Sequence, residues 1–153
     1  MAVGNFDGVH VGHARIVERL RDAGRRSSIP TAAFTFDPHP ARLLRPAAAP
    51  TPLTTPARRA ELLLALGVDA ILVQPVDAAL LALPPEGFYR HVLRAGVNAR
   101  AIVEGADFRF GAGRAGDVAL LRRLAAADGV EVTVVEPVTV DGMPVSSSRV
   151  RSL

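Results

Sequence analysis

Eleven residues near the start, Val3-Gly4-Asn5-Phe6-Asp7-Gly8-Val9-His10-Val11-Gly12-His13, restrict what this chain can fold into more than any other stretch. A short apolar run leads into Gly, Asn and Asp, and a helical pattern begins near Gly12. The spacing predicts a strand end, a reversal over residues 5–9 and a helix start. Such a turn leaves backbone amides free. Gly4, Gly8 and Gly12 recur every four residues and let the main chain approach a ligand closely, and the first amides of the next helix carry partial positive charge. Together these make a seat for phosphate. His10 and His13 flank Gly12, where each ring can donate a hydrogen bond to a phosphate oxygen. Taken singly, the parts have plainer readings: the glycines are ordinary turn residues, and His-x-x-His is half of a metal site. The chain has no cysteine, and His39 and His91 lie in unrelated contexts, which counts against structural zinc.

Length and charge narrow the partners. A chain of 153 residues fits one domain with a genuine core, and a hydrophobic fraction of 49% argues against disorder. Glu61 and Asp69 break the richest apolar stretch well short of the roughly 20 residues of a membrane span. The chain opens directly on a strand with no secretory leader, so a cytoplasmic location is expected. The 18 basic residues are all arginine, scattered from Arg15 to Arg151 without a run or an aromatic platform, and the formal net charge is only +3. Small anions are therefore the expected partners, and nucleic acid and membrane are not. The lack of lysine excludes a Walker-type phosphate loop.

Further along, residues 12–23 read as an amphipathic helix ended by Gly24, and residues 31–36 as a strand. A strand, helix, strand unit implies a parallel sheet with ligands at the carboxyl ends of its strands. Asp37-Pro38-His39-Pro40 leaves the sheet there, because two prolines deny it ladder hydrogen bonds. Residues 46–56 read as an extended loop. A helix capped by Thr55 with Pro56 at its first position should run to Leu66, with Leu62, Leu63, Leu64 and Leu66 in the core. A strand at 70–73, a turn at 80–83, a helix from Pro85 to Ala95 and a strand at 101–104 follow. Phe88 and Tyr89 read as core or filler before they read as ligand contacts.

Glu104-Gly105-Ala106-Asp107-Phe108-Arg109-Phe110-Gly111-Ala112-Gly113-Arg114-Ala115-Gly116-Asp117 is a second glycine-rich loop after a strand. Its phenylalanines would suit an aromatic ring system, with Phe110 stacking, Asp107 accepting from a ring nitrogen, and Arg109 or Arg114 meeting phosphate. They would equally well pin the loop to the core. A helix at 116–127, a strand at 131–135 and a hairpin turned by Asp141-Gly142 precede Ser146-Ser147-Ser148-Arg149-Val150-Arg151, where serines can cap a helix.

The first stretch resembles the Gly-x-Phe-Asp-Gly-x-His-x-Gly-His signature of bacterial FAD synthetases, within the wider His-x-Gly-His nucleotidyltransferase superfamily. Residues 35–40 resemble the second motif of those enzymes, residues 105–111 their Gly-x-Asp/Asn-Phe-x-Phe-Gly motif, and residues 146–151 their Ser-Ser-Thr-x-Ile-Arg element. The four occur in family order and span nearly the whole chain. The resemblance implies an α/β, Rossmann-like nucleotidyltransferase: a five-stranded parallel sheet flanked by helices, with a small C-terminal β-hairpin. It implies AMP transfer from ATP to FMN with Mg²⁺, giving FAD and pyrophosphate. Gly4, Asn5, Phe6, Asp7, Gly12, Ser147 and Ser148 would bind ATP, with His10, His13 and Arg151 catalytic. Pro38, His39, Pro40, Asp107 and Phe110 would bind FMN, and no residue is assigned to a metal.

Departures from the pattern are Ser148 where threonine is usual, Glu104 where an apolar residue is common, and a start almost at the first motif. Many relatives continue into a riboflavin kinase domain. Residues 1–153 are expected to form an adenylyltransferase domain with no riboflavin kinase domain, so a separate kinase is expected to supply FMN. Two other readings stay open: a nucleotidyltransferase with another phosphorylated acceptor, and a non-catalytic flavin or nucleotide binding module.

Overall fold

Neighbouring strand residues point into two different cores. Val3, Phe34 and Ile102 belong to one apolar cluster, and Ala2, Ala33 and Val103 to another, as the period of two in a strand requires. The computed structural model describes all 153 residues. In chain order the elements are β1 (Ala2–Val3), α1 (Val11–Ser27), β2 (Ala32–Asp37), α2 (Pro40–Leu44), α3 (Pro56–Ala65), β3 (Ala70–Pro75), α4 (Ala78–Ala82) and α5 (Pro85–Phe88). A π-helical stretch (Tyr89–Gly96) follows, then β4 (Ala101–Gly105), α6 (Val118–Ala127), β5 (Glu131–Val135), the hairpin strands β6 (Thr139–Val140) and β7 (Met143–Pro144), and α7 (Ser147–Arg151). The fold is α/β. Residues of α1 and α3 fill one core, and those of α5, the π-helical stretch and α6 fill the other.

The expected five-stranded sheet is not what forms. β1, β2 and β3 make one parallel sheet, β4 and β5 a second, and β6 and β7 an antiparallel pair. β1 and β4 lie side by side along the seam. Met1 N donates to Ala101 O at 2.6 Å and Val103 N donates to Met1 O at 2.9 Å. The next donor, Val3 N–H, goes instead to the side chain of Glu104, at 2.6 Å from Oε1. β1 is only two residues long, and a carboxyl group takes the place of a ladder carbonyl, so the pairing stops there. Burial raises the Glu104 carboxyl well above the usual range, and the Val3 amide opposes that only in part.

Local chemistry explains other differences. α1 runs through Gly24 and ends at Ser28, which adopts φ +52°. A Cβ at Gly24 would lie 2.5 Å from Thr31 Cγ2 and 2.9 Å from Ile29 O, so this glycine serves close packing and not helix termination. In α3 only Leu63 is fully buried, and Leu64 is 48% exposed. The helix expected from Pro85 to Ala95 is a short α-helix that widens into the π-helical stretch, with Val97 N bonded to Val92 O at 3.2 Å. Widening buries Tyr89, Val92 and Leu93, and Tyr89 Oη donates to Asp128 at 2.9 Å. Thr55, Asp77, Asp117 and Ser146 cap the starts of α3, α4, α6 and α7 with side-chain acceptors.

Candidate active site

The loop from β1 to α1 reverses over residues 6–9, three of which have positive φ: Phe6 (49°), Gly8 (82°) and Val9 (41°). A β-branched residue there costs about 1–3 kcal/mol, which the surrounding contacts must offset. Most of them converge on Asp7. Its buried carboxylate accepts from Leu53 N at 3.0 and 3.1 Å, and from Thr54 N at 3.0 Å and Thr54 Oγ1 at 3.1 Å. Arg151 Nη2 also donates to it. Burial alone would raise the Asp7 carboxyl. The Leu53 and Thr54 amides, Arg151 and the Thr54 hydroxyl outweigh burial and hold it below the usual carboxylate range.

That hub corrects the reading of residues 46–56 as extended. Pro46–Ala48 is a 3₁₀ turn, and residues 51–54 are strapped down onto the first motif. Gly8 N donates to Thr54 Oγ1 at 3.1 Å, and a Cβ on Gly8 would meet Leu53 Cδ1 at 2.8 Å. The C-terminal segment joins the same hub: Ser147 Oγ donates to Asp7 O at 2.8 Å, and Arg151 Nε to Thr51 O at 2.7 Å. Ser148 is exposed and without a side-chain partner.

His10 and His13 stack, with ring centroids 3.7 Å apart and planes 17° apart. Burial, then the neighbouring His10, pushes His13 down to about 3, and burial lowers His10 too. Both rings are therefore neutral near pH 7. Their Nδ1 atoms, Asn5 Oδ1 and Arg59 Nε are buried side-chain polar atoms with no partner. Leaving such atoms unpaired costs about 1–3 kcal/mol each; three belong to the loop and first turn of α1, whose amino end has no side-chain cap, and the fourth to Arg59, which lies against Asp7. That concentration marks a place prepared for a polar ligand. Phe6 is not part of the opening: it is 2% exposed and meets His13 edge-on, with centroids 5.3 Å apart.

Beside this polar seat lies a cleft of about 430 Å³. Gly4 and Asn5 from the first motif, His39 and Pro40 from the second, and Asp107 and Phe110 from the third all line it. Phe36, Phe88, Phe108 and Phe110 supply its aromatic wall; Phe108 and Phe110 are stacked with centroids 5.5 Å apart. Phe110 itself is 5% exposed, so its ring is mostly wall backing and Phe108 is the freer face. His39 Nδ1 accepts from Ala41 N at 3.1 Å and so caps α2, which leaves its other nitrogen for the cleft. Pro38 follows a cis peptide bond and does not line the cleft.

Three contributors were missed in the sequence. Arg59 reads as one more helical arginine, although its spacing from Leu63 and Leu66 puts it on the apolar face of α3, a signal that was available. Thr35 donates to Asn5 O at 3.3 Å and ties β2 to the first motif. The Leu53 and Thr54 amides carry no side-chain signature at all. No group of three or more His, Asp or Glu side chains could hold a metal ion, and no helix is long and apolar enough to cross a membrane.

A family model described as FAD synthetase matches residues 1–149. The chain is 34% identical over 151 residues to the bifunctional riboflavin kinase/FMN adenylyltransferase of Escherichia coli K12, covering 99% of this chain and 48% of that protein. It is 35% identical over 150 residues to the protein of the same name from Pseudomonas fluorescens, covering 98% and 48%. The chain thus spans about half the length of these curated relatives. A solved structure named as a macrolide-efflux protein from Streptococcus pneumoniae superposes with a TM-score of 0.83 at 27% identity, covering 99% of this chain and 49% of the other.

Proposed function

The chain belongs to the FAD synthetase family, and we propose that residues 1–153 form one adenylyltransferase domain that transfers AMP from ATP to FMN, releasing pyrophosphate and FAD. One observation carries this reading: an unsatisfied polar seat adjoins an aromatic cleft, and residues of three separate motifs line that cleft. A triphosphate suits the first and an isoalloxazine the second. The run of strands β3-β2-β1, with β4 and β5 across the seam, supports a Rossmann-like nucleotidyltransferase arrangement.

In this mechanism an FMN phosphate oxygen attacks the α-phosphorus of ATP in line. The bond from that phosphorus to the bridging oxygen breaks, and pyrophosphate leaves with the electron pair. No covalent enzyme intermediate forms, so the protein's contribution is positioning and charge stabilisation. His10, His13 and the free amides at the start of α1 donate to the phosphoryl oxygens. Gly4, Asn5 and Gly12 shape the seat, and Ser147 and Ser148 border it. Asp7 acts through the bonds it makes to the strap and to Arg151. Arg151 would exchange Thr51 O for a phosphate oxygen. Magnesium enters on the triphosphate as part of the substrate, since that cation takes most of its ligands from phosphate and water. His39, Pro40, Asp107 and Phe110 frame the flavin, and Pro38 sets the path of the chain behind them. A riboflavin kinase, the other activity named for the relatives, would supply FMN, and such chemistry fits the cytoplasm.

Incubation of the purified protein with FMN, ATP and Mg²⁺, followed by chromatography of FAD and pyrophosphate, tests the reading. FAD from FMN and none from riboflavin is the expected result. Absence of FAD would overturn the flavin assignment and turn attention to other phosphorylated acceptors.

A further inference from the structure

Resting on the adenylyl-transfer reading above, a second cation enters the site. Arg59 is 7% exposed on the inner face of α3, one turn before Leu63. A buried guanidinium is costly unless its donors are paired, and these are paired poorly. Nη1 donates to Thr35 Oγ1 at 3.4 Å, Nη2 lies 3.9 Å from Asp7 Oδ1, and Nε has no partner. The short bonds to Asp7 come from Leu53, Thr54 and Arg151 instead. An arginine serving only to stabilise the fold would be saturated, or would be replaced by another leucine on this apolar stripe. Thr35, which holds Nη1, also holds Asn5 O, so Arg59 sits at the joint between β2 and the first motif.

We propose that Arg59 is a positioning residue of the phosphate seat: beside Arg151 it supplies a second fixed positive charge there, next to a stacked His10 and His13 pair that meets phosphate as uncharged hydrogen-bond donors. Two imidazolium rings could not stack at 3.7 Å without strong repulsion, so the pair cannot carry two charges, and burial works against even one. The charged and titratable groups facing His13 are His10 and Asp7 from the first motif and Arg59 from α3. Asp7 works against its neutrality, whereas burial, His10 and Arg59 work for it. Burial, Arg151 and then Arg59 act in the same direction on His39, against Asp7.

The test compares wild type, Arg59→Gln and Arg59→Lys. Wild-type His13, followed by imidazole NMR, should stay uncharged through the range near 6.5 where an ordinary histidine takes up its proton. In Arg59→Gln its titration should move only a little to higher pH, because burial and His10 still hold it down, and kcat should fall about 10- to 100-fold, the usual cost of removing a group that orients the residues touching substrate. Arg59→Lys should restore most of the turnover and the wild-type titration. Wild-type turnover with an unmoved His13 in Arg59→Gln would overturn the proposal, as would wild-type His13 titrating at the ordinary value. If Arg59→Gln does not fold, the lysine variant and the wild-type titration decide it. Failure of the wild type to make FAD would sink the adenylyl-transfer reading alone, because the titrations need no substrate.

Discussion

The two halves of the site are built on opposite principles. The phosphate seat is dense and polar, with Asp7 at once accepting from two backbone amides, a hydroxyl and Arg151, while four buried polar atoms nearby stay unsatisfied. The aromatic cleft has room of about 430 Å³ and four phenylalanines, and its shape comes from packing. A seat organised by one buried carboxylate should fail as a unit, because breaking one charged contact strands its partners. A cleft organised by apolar contacts should degrade by increments, one side chain at a time.

That contrast sets the order of effects. Asp7→Asn leaves Arg59 and Arg151 without a counter-charge, and should cost about 3–5 kcal/mol in urea denaturation. A loss under 1 kcal/mol would mean that the strap holds without the charge. His13→Ala should lower turnover by about 10²- to 10³-fold with the fold intact, as removal of one transition-state donor does. Steady-state kinetics beside a thermal melt would separate these two outcomes.

Acid should act most strongly on the seat, although His39 in the cleft is lowered by burial too. His13 is held near 3 in the folded chain and titrates near 6.5 when unfolded, so the unfolded state binds the extra proton between those values. Stability should therefore fall as pH drops from about 6.5 towards 3, by at most about 1.4 kcal/mol per pH unit. Asp7, whose folded value is depressed, adds stability that is present above its unfolded value and is lost only as pH falls further, through the folded one. A flat denaturation midpoint across pH 4–6 would argue against a neutral His13.

On the cleft side, Phe108→Ala should raise the KM for FMN several-fold, in line with the roughly 0.5–1.5 kcal/mol of an aromatic pair, and leave the KM for ATP alone. Equal rises in both would dissolve the distinction between the halves. The smallest effect expected is from His39→Ala, which removes the α2 cap for about 1 kcal/mol of stability.

The same contrast explains what the sequence could say. The turn at residues 5–9, the cap at Thr55 and the Asp141-Gly142 hairpin were legible because each depends on neighbours within a few residues. The motifs that line the cleft were legible for the same reason. The split of the sheet was not, since it turns on Glu104 meeting an amide 101 residues away. Nor was the strap visible: Asp7 looks like a ligand for ATP until Leu53, Thr54 and Arg151 are seen on it. Gly24 and the widening at Tyr89 misled for a third reason, because tertiary crowding decided what local propensity had suggested.

The bond from Arg151 to Asp7 has a consequence in time as well as in space. Its partners are 144 residues apart, so during synthesis at about 5–20 residues per second the Asp7 carboxylate is made about 7–30 s before the guanidinium that completes it. Closing so long a loop is entropically slow compared with forming the local helices and hairpin. The nascent chain can assemble β1, α1 and β2 early, but its phosphate seat is finished among the last contacts. A chaperone or protease would meet the protein with the Asp7 hub still open.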